Sequence, residues 1–280
     1  MPKISVIMSV YNGSKKIDFA IKSILNQTFS DFELIICDDG SSDNSYEIIK
    51  NYEQIDKRVK VIKNEKNMGL APTLNKCLEI AEGEYIARMD DDDISHKNRF
   101  AKQVEFLDKH TEYALVGTSS NLYDRDGIWG SNINEGERTK LDIYLGRTFI
   151  HPSVMMRREA ILDVGGYTTG QETERTEDFD LWCKLYSKGY KGYNLSDILL
   201  DYYEARDCYK KRKFKYRICE YRLKKKWRKE LNIPLMYIIY AYRPLIVGIL
   251  PGKIYMRFHR KWTCVNIIDT KSLTNYAAVS

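Results

Sequence analysis

The sequence predicts an α/β domain, a mostly parallel sheet with helices on both faces, followed by a basic C-terminal extension. Strand-like and helix-like segments alternate four times within about the first 90 residues, the pattern of a parallel sheet built from crossover units. The strand-like runs are short, apolar and closed by turn-forming or polar residues. The charge then changes sign along the chain: residues 1–204 carry a net −9, and residues 205–229 a net +11.

The elements follow in order. Residues 4–10 are an apolar run suited to a buried strand, and Ser14 is placed to cap the next helix, where Ile17, Ala20, Ile21, Ile24 and Leu25 share a face. Residues 32–37 form the second strand. It stops at Asp38, Asp39, Gly40, Ser41, Ser42 and Asp43, a string of turn and cap residues, and a helix with Tyr46, Ile48 and Ile49 follows. Residues 59–62 make a third strand. After the turn at Asn67-Met68-Gly69, Leu70, Leu74, Cys77, Leu78 and Ala81 form a helical stripe. Residues 84–89 are the fourth strand. Beyond it, Phe100, Val104 and Leu107 mark a helix and residues 113–119 another strand. Residues 123–146, with Gly127, Gly130 and Gly136, read as loop-rich. Residues 151–156 read as a returning strand, Gly165-Gly166-Tyr167 as a turn and residues 178–186 as a helix.

A chain of 280 residues with 43% hydrophobic content can bury a large core. One domain over residues 1–204 and an extension over residues 205–280 is the economical division. Cys37, Cys77, Cys183, Cys208, Cys219 and Cys264 are scattered, with no Cys-x-x-Cys pair and no zinc spacing, which favours a reducing compartment. The N-terminus runs straight into a strand and lacks the charged, apolar and cleavage regions of a signal peptide.

Asp90, Asp91, Asp92 and Asp93 stand in a row after the fourth strand. They form either a solvated acidic turn, with Asp93 or Ser95 capping the next helix, or a seat for a hard divalent cation, which takes oxygen ligands and shares its shell with substrate phosphates. An EF-hand is excluded, because its alternating ligands, central glycine and terminal glutamate are missing. Asp38 and Asp39 are helix-cap residues or acceptors for a base N–H or a ribose hydroxyl. Tyr11, before Asn12 and Gly13, belongs to a plain turn or stacks on a base. Glu177 and Asp178 favour a helix N-terminus through its dipole, or one of them is a general base. His151 is structural or has a metal or a diphosphate as partner. Because ligands of such sheets sit beyond the carboxyl ends of the strands, Tyr11, the Asp38-Asp39 pair and the aspartate run should converge on one edge.

Together these pieces resemble the family 2 glycosyltransferases of the GT-A fold. The resemblance rests on Ser5-Val-Ile-Met-Ser-Val-Tyr-Asn-Gly13, Gln27-Thr-Phe29, Asp38-Asp-Gly-Ser-Ser-Asp43, Asn67-Met-Gly-Leu70 and Ala87-Arg-Met-Asp-Asp-Asp-Asp-Ile-Ser95. It continues through His151-Pro-Ser-Val-Met155, Gly165-Gly-Tyr167 and Glu177-Asp-Phe-Asp-Leu-Trp182, and spans residues 3 to about 205. It implies a UDP-sugar donor, with Tyr11 and Asp39 at the uracil ring. It implies Asp90 and Asp92 as the Asp-x-Asp signature for ribose and a Mn²⁺ or Mg²⁺ on the diphosphate, with Asp91 beside the donor and Asp178 as catalytic base. Relatives carry a small residue between the two signature aspartates, where this chain has Asp91. An inverting displacement follows: Asp178 takes the acceptor hydroxyl's proton, and an α-linked UDP-sugar gives a β-glycoside. Relatives of this length extend bacterial O-antigen and capsule repeats, moving Glc or Gal to GlcNAc on diphospho-undecaprenol.

Cations and aromatics interleave over residues 210–217 and 221–229. This pattern suits an anionic lipid surface, here the cytoplasmic face of the bacterial inner membrane. Nucleic acid is not an expected partner, since no nucleic-acid motif accompanies the charge. Residues 235–250 are apolar but too few to span a bilayer. Two other classes share parts of the pattern. A sugar-nucleotide nucleotidyltransferase would need a glycine-rich, basic phosphate loop after the first strand, which Tyr11-Asn-Gly-Ser14 lacks. A non-enzymatic, membrane-anchored nucleotide-sugar binding protein would not depend on Asp178.

Overall fold

The computed structural model describes residues 1–205 and 213–250. The expected alternation is present: β1 (Ile4–Val10), α1 (Ile17–Leu25), β2 (Phe32–Asp38), α2 (Ser45–Ile55), β3 (Val59–Lys63), α3 (Leu70–Ile80) and β4 (Tyr85–Asp90). These four strands pair in parallel in the order β3-β2-β1-β4. Side chains alternate across the sheet. Val6, Met8, Leu34, Ile36 and Ala87 pack under α1 and α2, and Ile7, Ile35, Cys37 and Ile86 pack under α3. The sheet is therefore apolar on both faces, which is why its strands read as continuous hydrophobic runs.

The second half departs from the expectation in detail. β5 (Ile94–Ser95), α4 (Arg99–Lys109) and β6 (Leu115–Asp124) are followed by β7 (Gly127–Asn132), β8 (Gly136–Arg138) and α5 (Lys140–Leu145), where a loop-rich stretch was expected. Gly127 and Gly136 take φ of 105° and 94° and make the turns at which β7 and β8 begin. β7 hangs on β6 and β8 on β10 (Gly192–Tyr203), each with a single partner strand. Lateral strands of this kind have no need of the apolar alternation that betrays a strand in sequence. α5 starts at a capping box between Thr139 and Asp142. The expected returning strand is shorter: residues 151–153 form a 3₁₀ turn around Pro152, and only β9 (Met155–Arg157) pairs. α6 (Arg158–Asp163) and α7 (Glu177–Ser187) follow.

β9 runs antiparallel between β4 and β6, and joins the first parallel half to the pair β6-β10. Two buried polar side chains of α4 brace this joint. Arg99 donates to the carbonyls of Arg88 (2.8 Å) and Val154 (3.3 Å), and Gln103 donates to those of Val116 (3.1 Å) and Ser153 (2.8 Å). Together they tie β4, β6 and the turn before β9 to the same helix.

Among the described residues of the basic segment, α8 (Phe214–Glu230) packs on α5 and α7. Its Leu223 and Trp227, with Leu231 and Ile233 beyond it, lie in the same core as Tyr144 and Trp182. A 3₁₀ turn (Leu235–Ile238) and α9 (Ile239–Ile249) follow. Among the described residues no helix is long and apolar enough to cross a membrane. Cys208, Cys264 and part of the basic run at 210–217 lie outside the described residues, as do residues 251–280 of the extension.

Candidate active site

The site begins where β1, β2 and β4 end side by side. Val10 pairs with Asp38 and Ser9 with Asp90, so the turn at Tyr11, the Asp38-Asp39 pair and the aspartate run emerge on one edge, as the topology requires. Asn12 adopts φ of 54° and fastens the first two loops together. It accepts from the Ser42 amide (2.9 Å), while its own amide donates to Ser41 Oγ (3.0 Å). Ser14 was expected to cap α1. Instead its amide donates to Asp43 Oδ2 (3.1 Å), and α1 starts after Lys16 with no side-chain cap. Tyr11 is left 49% exposed at the mouth of the site, free to present a ring.

Asp39 is only 2% exposed. Its Oδ1 accepts from Asn64 Nδ2 and the Met68 amide, both at 2.8 Å, and its Oδ2 from the Gly69 amide at 2.8 Å. The carboxylate thus holds the loop before α3, and a donor contact would use the remaining lone pair of Oδ2.

The four aspartates have four different environments. Asp90 forms an ion pair with Arg88. Asp91 packs over Gly13, where an added Cβ would stand 2.2 Å from its Oδ2. Asp92 meets Lys16 Nζ at 3.3 Å, and its carbonyl accepts from the Tyr123 hydroxyl at 2.6 Å. Lys16 Nζ also sits 2.8 Å from the Tyr203 ring centroid, a cation–π contact that holds it over the run. Asp93 does not cap α4. It is fully buried, accepts from the Tyr203 amide (2.8 Å), and so ties the run to β10; α4 begins after Asn98 with no side-chain cap. Ser95 also leaves the cap vacant, since its hydroxyl accepts from Gln27 Nε2 (3.1 Å).

Crowding makes Asp91, Asp92 and Asp93 hard to ionise. Burial and repulsion from Asp92 and Asp90 push Asp91 up to about 7, and burial with the Asp90 charge raises Asp92 and Asp93. Among the described residues no three His, Cys, Asp or Glu side chains form a ready-made cage. The donors present are carboxylate oxygens, whose mutual repulsion a divalent cation would relieve, with water and diphosphate oxygens filling its shell. Donors of this chemistry fit Mg²⁺ or Mn²⁺ in that manner.

A stability measurement reads this crowding directly. Asp91 has a folded value of about 7 against 3.8 as the ordinary value, so the folded state binds the extra proton between those limits. Without added cation, stability is therefore expected to fall as pH rises from about 4 to about 7, by up to about 1.4 kcal/mol per pH unit for each such proton. Mn²⁺ should raise Tm more at about pH 8, above the titration, than at about pH 5. A Tm indifferent to both pH and Mn²⁺ would remove the crowded cluster.

Across the joint lie the remaining candidates. His151 Nε2 is 2.8 Å from the Tyr167 hydroxyl, and the ring stands edge-on to Trp182. Burial and the nearby Arg88 charge hold His151 well below its ordinary value, so the ring is neutral. Gly166 and Tyr167 are fastened to α3: Asn75 Oδ1 accepts from the Tyr167 amide and Asn75 Nδ2 donates to its carbonyl, both at 2.8 Å. Gly166 has φ of 63°, and a Cβ there would meet Asn75 Oδ1 at 2.7 Å, so the turn admits glycine alone. Asp178 and Glu177 open α7, where backbone amides favour negative charge. Asp178 is half-buried and its Oδ1 accepts from the Phe179 amide (2.7 Å); burial nevertheless raises its pKa, as it does that of Glu177, whose Oε2 has no hydrogen-bond partner.

The family model of glycosyl transferase family 2 matches residues 5–165, more than half of the chain. The chain belongs to glycosyl transferase family 2. It is 40% identical to EpsE of Bacillus subtilis (strain 168), named as a glycosyltransferase, over 93% of this chain and 94% of that one. It is 30% identical to the Escherichia coli UDP-Glc:alpha-D-GlcNAc-diphosphoundecaprenol beta-1,3-glucosyltransferase WfaP, over 73% of this chain and 78% of that one. The glycosyltransferase has the GT-A-like fold of Staphylococcus aureus TarS 1-349, with TM-score 0.65 and 22% identity over 92% of this chain and 72% of that one. The mannosyltransferase PcManGT from Pyrobaculum calidifontis, solved with GDP-Man and Mn²⁺, shares it at TM-score 0.60 and 17% identity, over 93% and 80% of the two chains.

Sequence reasoning about this glycosyltransferase missed its central cation. Arg88 is 1% exposed within β4, pairs with Asp90, and acts electrostatically on Asp93, His151, Tyr167 and Asp178. Its charge reaches the strand-end aspartates, the His151 turn and the start of α7. The signal was an arginine inside an otherwise buried strand, which demands a partner.

Proposed function

We propose that this enzyme moves a hexose, Glc or Gal, from a UDP-sugar to a lipid-linked acceptor, GlcNAc on diphospho-undecaprenol. The product would be a β-linkage, β-1,3, in the assembly of an O-antigen or other surface-polysaccharide repeat unit. The observation that carries the reading is the gathering of strand-end carboxylates and a proton-hungry Asp178 around one buried arginine. TarS has been solved with UDP and with UDP-GlcNAc, and the name of WfaP specifies a UDP-Glc donor and a lipid-diphosphate acceptor. Both support the choice of substrates.

In this reading Tyr11 and Asp39 face the uracil, and Asp90 and Asp91 face the ribose and diphosphate. Asp90 and Asp92 hold Mn²⁺ or Mg²⁺. When bound, that cation would offset the charge developing on the leaving diphosphate. Asp178 accepts the proton of the acceptor hydroxyl as that oxygen attacks the anomeric carbon and the bond from that carbon to the diphosphate oxygen breaks. One displacement inverts the configuration. Burial makes Asp178 a stronger base than a free aspartate, which suits the step. His151, neutral and bonded to Tyr167, and Glu177, beside the base, complete the acceptor side. A membrane-borne acceptor places the enzyme at the cytoplasmic face of the inner membrane, docked on anionic lipid through the basic segment.

The test is direct. The protein, Mn²⁺, UDP-Glc or UDP-Gal and a synthetic GlcNAc-diphospholipid should yield a β-linked disaccharide lipid, with the linkage assigned by NMR. Failure with both donors would overturn the substrate reading, and an α-linked product would overturn inversion.

A further inference from the structure

A second surface lies at the far end of the described chain. Leu235, Ile239, Tyr242, Ile246 and Ile249 recur at spacings of three and four residues, so they share one face of the turn and helix that contain them. Their exposure lies between 44% and 75%. The opposite face of α9 is the packed one: Ala241 and Pro244 are buried, and Gly248 lies against Phe214 and Arg217 of α8. The Tyr221 and Tyr242 rings stand 5.0 Å apart, so α8 and α9 form an antiparallel pair with the apolar stripe turned outward.

The surroundings of the stripe identify its occupant. Arg222, Lys225, Lys226 and Lys229 are exposed on α8. Lys225 Nζ lies 5.5 Å from the Tyr221 ring, at the edge of the stripe. Residues 213–250 contain ten Lys and Arg against Glu220 and Glu230 alone. Tyrosines 221, 240 and 242 add amphipathic rings between the apolar and basic zones. An apolar face with flanking cations and tyrosines is what a helix lying in a lipid headgroup region presents. At eleven residues α9 is about 16 Å long, far short of a bilayer's hydrocarbon core.

We infer that the α8–α9 pair is the docking surface for an anionic lipid bilayer, with the α9 stripe entering the interface and the α8 cations meeting lipid phosphates. This deepens the membrane reading above: apolar insertion joins charge, and the contact is made by a folded element. The element is fixed to the catalytic half. Trp227 Nε1 donates to Asp180 Oδ1 (2.7 Å), Lys224 Nζ donates to the Tyr144 carbonyl (2.6 Å), and Cys219 Sγ lies 3.4 Å from the Gln171 carbonyl. Asp180 is in α7, two residues beyond Asp178. Docking would therefore set the distance of Asp178 from the bilayer, which matters if the acceptor is lipid-linked, as proposed.

Flotation of the full-length protein with phosphatidylcholine vesicles, with and without phosphatidylglycerol, tests the inference. Wild type should float with the anionic vesicles and be released by high salt. Ile239→Glu with Ile246→Glu should lower the bound fraction at least tenfold. Lys225→Gln with Lys226→Gln should weaken binding by about fivefold per charge removed. Transfer to a short-chain, water-soluble GlcNAc-diphosphate acceptor should be unchanged in both variants, which separates loss of docking from failure of the catalytic reading. Unchanged flotation of the Glu variant overturns the proposal. So does a wild-type dimer that the Glu variant splits, which would make a second copy the occupant. A marked fall in the variant's Tm without vesicle binding by wild type also overturns it, because the stripe would then be covered by the chain itself.

Discussion

Asp178→Asn should lower kcat by about 10²- to 10⁴-fold, the range for loss of a general base. KM for the UDP-sugar should stay nearly constant, because the groups proposed to hold the donor lie at the ends of β1, β2 and β4. The asparagine carbonyl can still accept from the Phe179 amide, so the start of α7 should survive and Tm should change little. The wild-type rate should also show an acidic limb displaced upward from the ordinary aspartate range, since burial raises Asp178. Full activity in Asp178→Asn would end its assignment as the base. A similar fall in Glu177→Gln, with Asp178→Asn intact, would move the role to the neighbouring carboxylate.

Asp90→Asn should damage both stability and transfer. It strips the ion-pair partner from Arg88, whose Nε and Nη1 find no other hydrogen-bond acceptor in the core. An uncompensated buried guanidinium costs about 3 kcal/mol, or roughly 5 °C in Tm for a chain of this size. Arg88→Met alone should also destabilise, by leaving the aspartates without their cation. Combined with Asp90→Asn it should cost less than the sum of the two, by about 1 kcal/mol or more, because neither partner is then left unpaired. Asp91→Asn should behave in the opposite sense and raise Tm at neutral pH, where it removes a crowded charge. Strict additivity of Arg88→Met and Asp90→Asn would show that the pair is incidental.

Much of the strand-end edge was legible because it is local. β1, β2, β3 and β4 announce themselves as apolar runs, and their parallel order brings Tyr11, Asp39 and the aspartate run to one edge whatever the side chains do. The loop after β6 was illegible because β7 and β8 are lateral strands held by single partners and backbone turns. β10 went unread because its register shifts between Leu195, Ile198 and Leu200 break any simple alternation. The individual aspartates could not be sorted from the sequence either. Asp93 looked like a helix cap and proved to be a tie to β10, while Asp39 looked like a ligand contact and proved also to be the anchor of a loop. Both roles depend on partners about 30 to 110 residues away, beyond the reach of any pattern in the chain. Arg88 was visible only as an anomaly, and its partners became known only when the fold assembled them.

The three-residue strand β9 gives the architecture a seam. On one side, a set of parallel strands carries the carboxylates proposed for the donor; on the other, β6, β10 and α7 carry the proposed base, Asp178, and the loops beside it. Under the proposed roles, the distance between donor and base belongs to neither half. It would be a property of how they are stitched, by three residues of ladder and the two α4 side chains beneath. Loops beyond the seam are free to diverge, and so to retarget the acceptor, without disturbing how the nucleotide end is gripped. A conservative change at Arg99 or Gln103, buried beneath the sheet, would act like a shim in a vice, altering the gap between the two jaws.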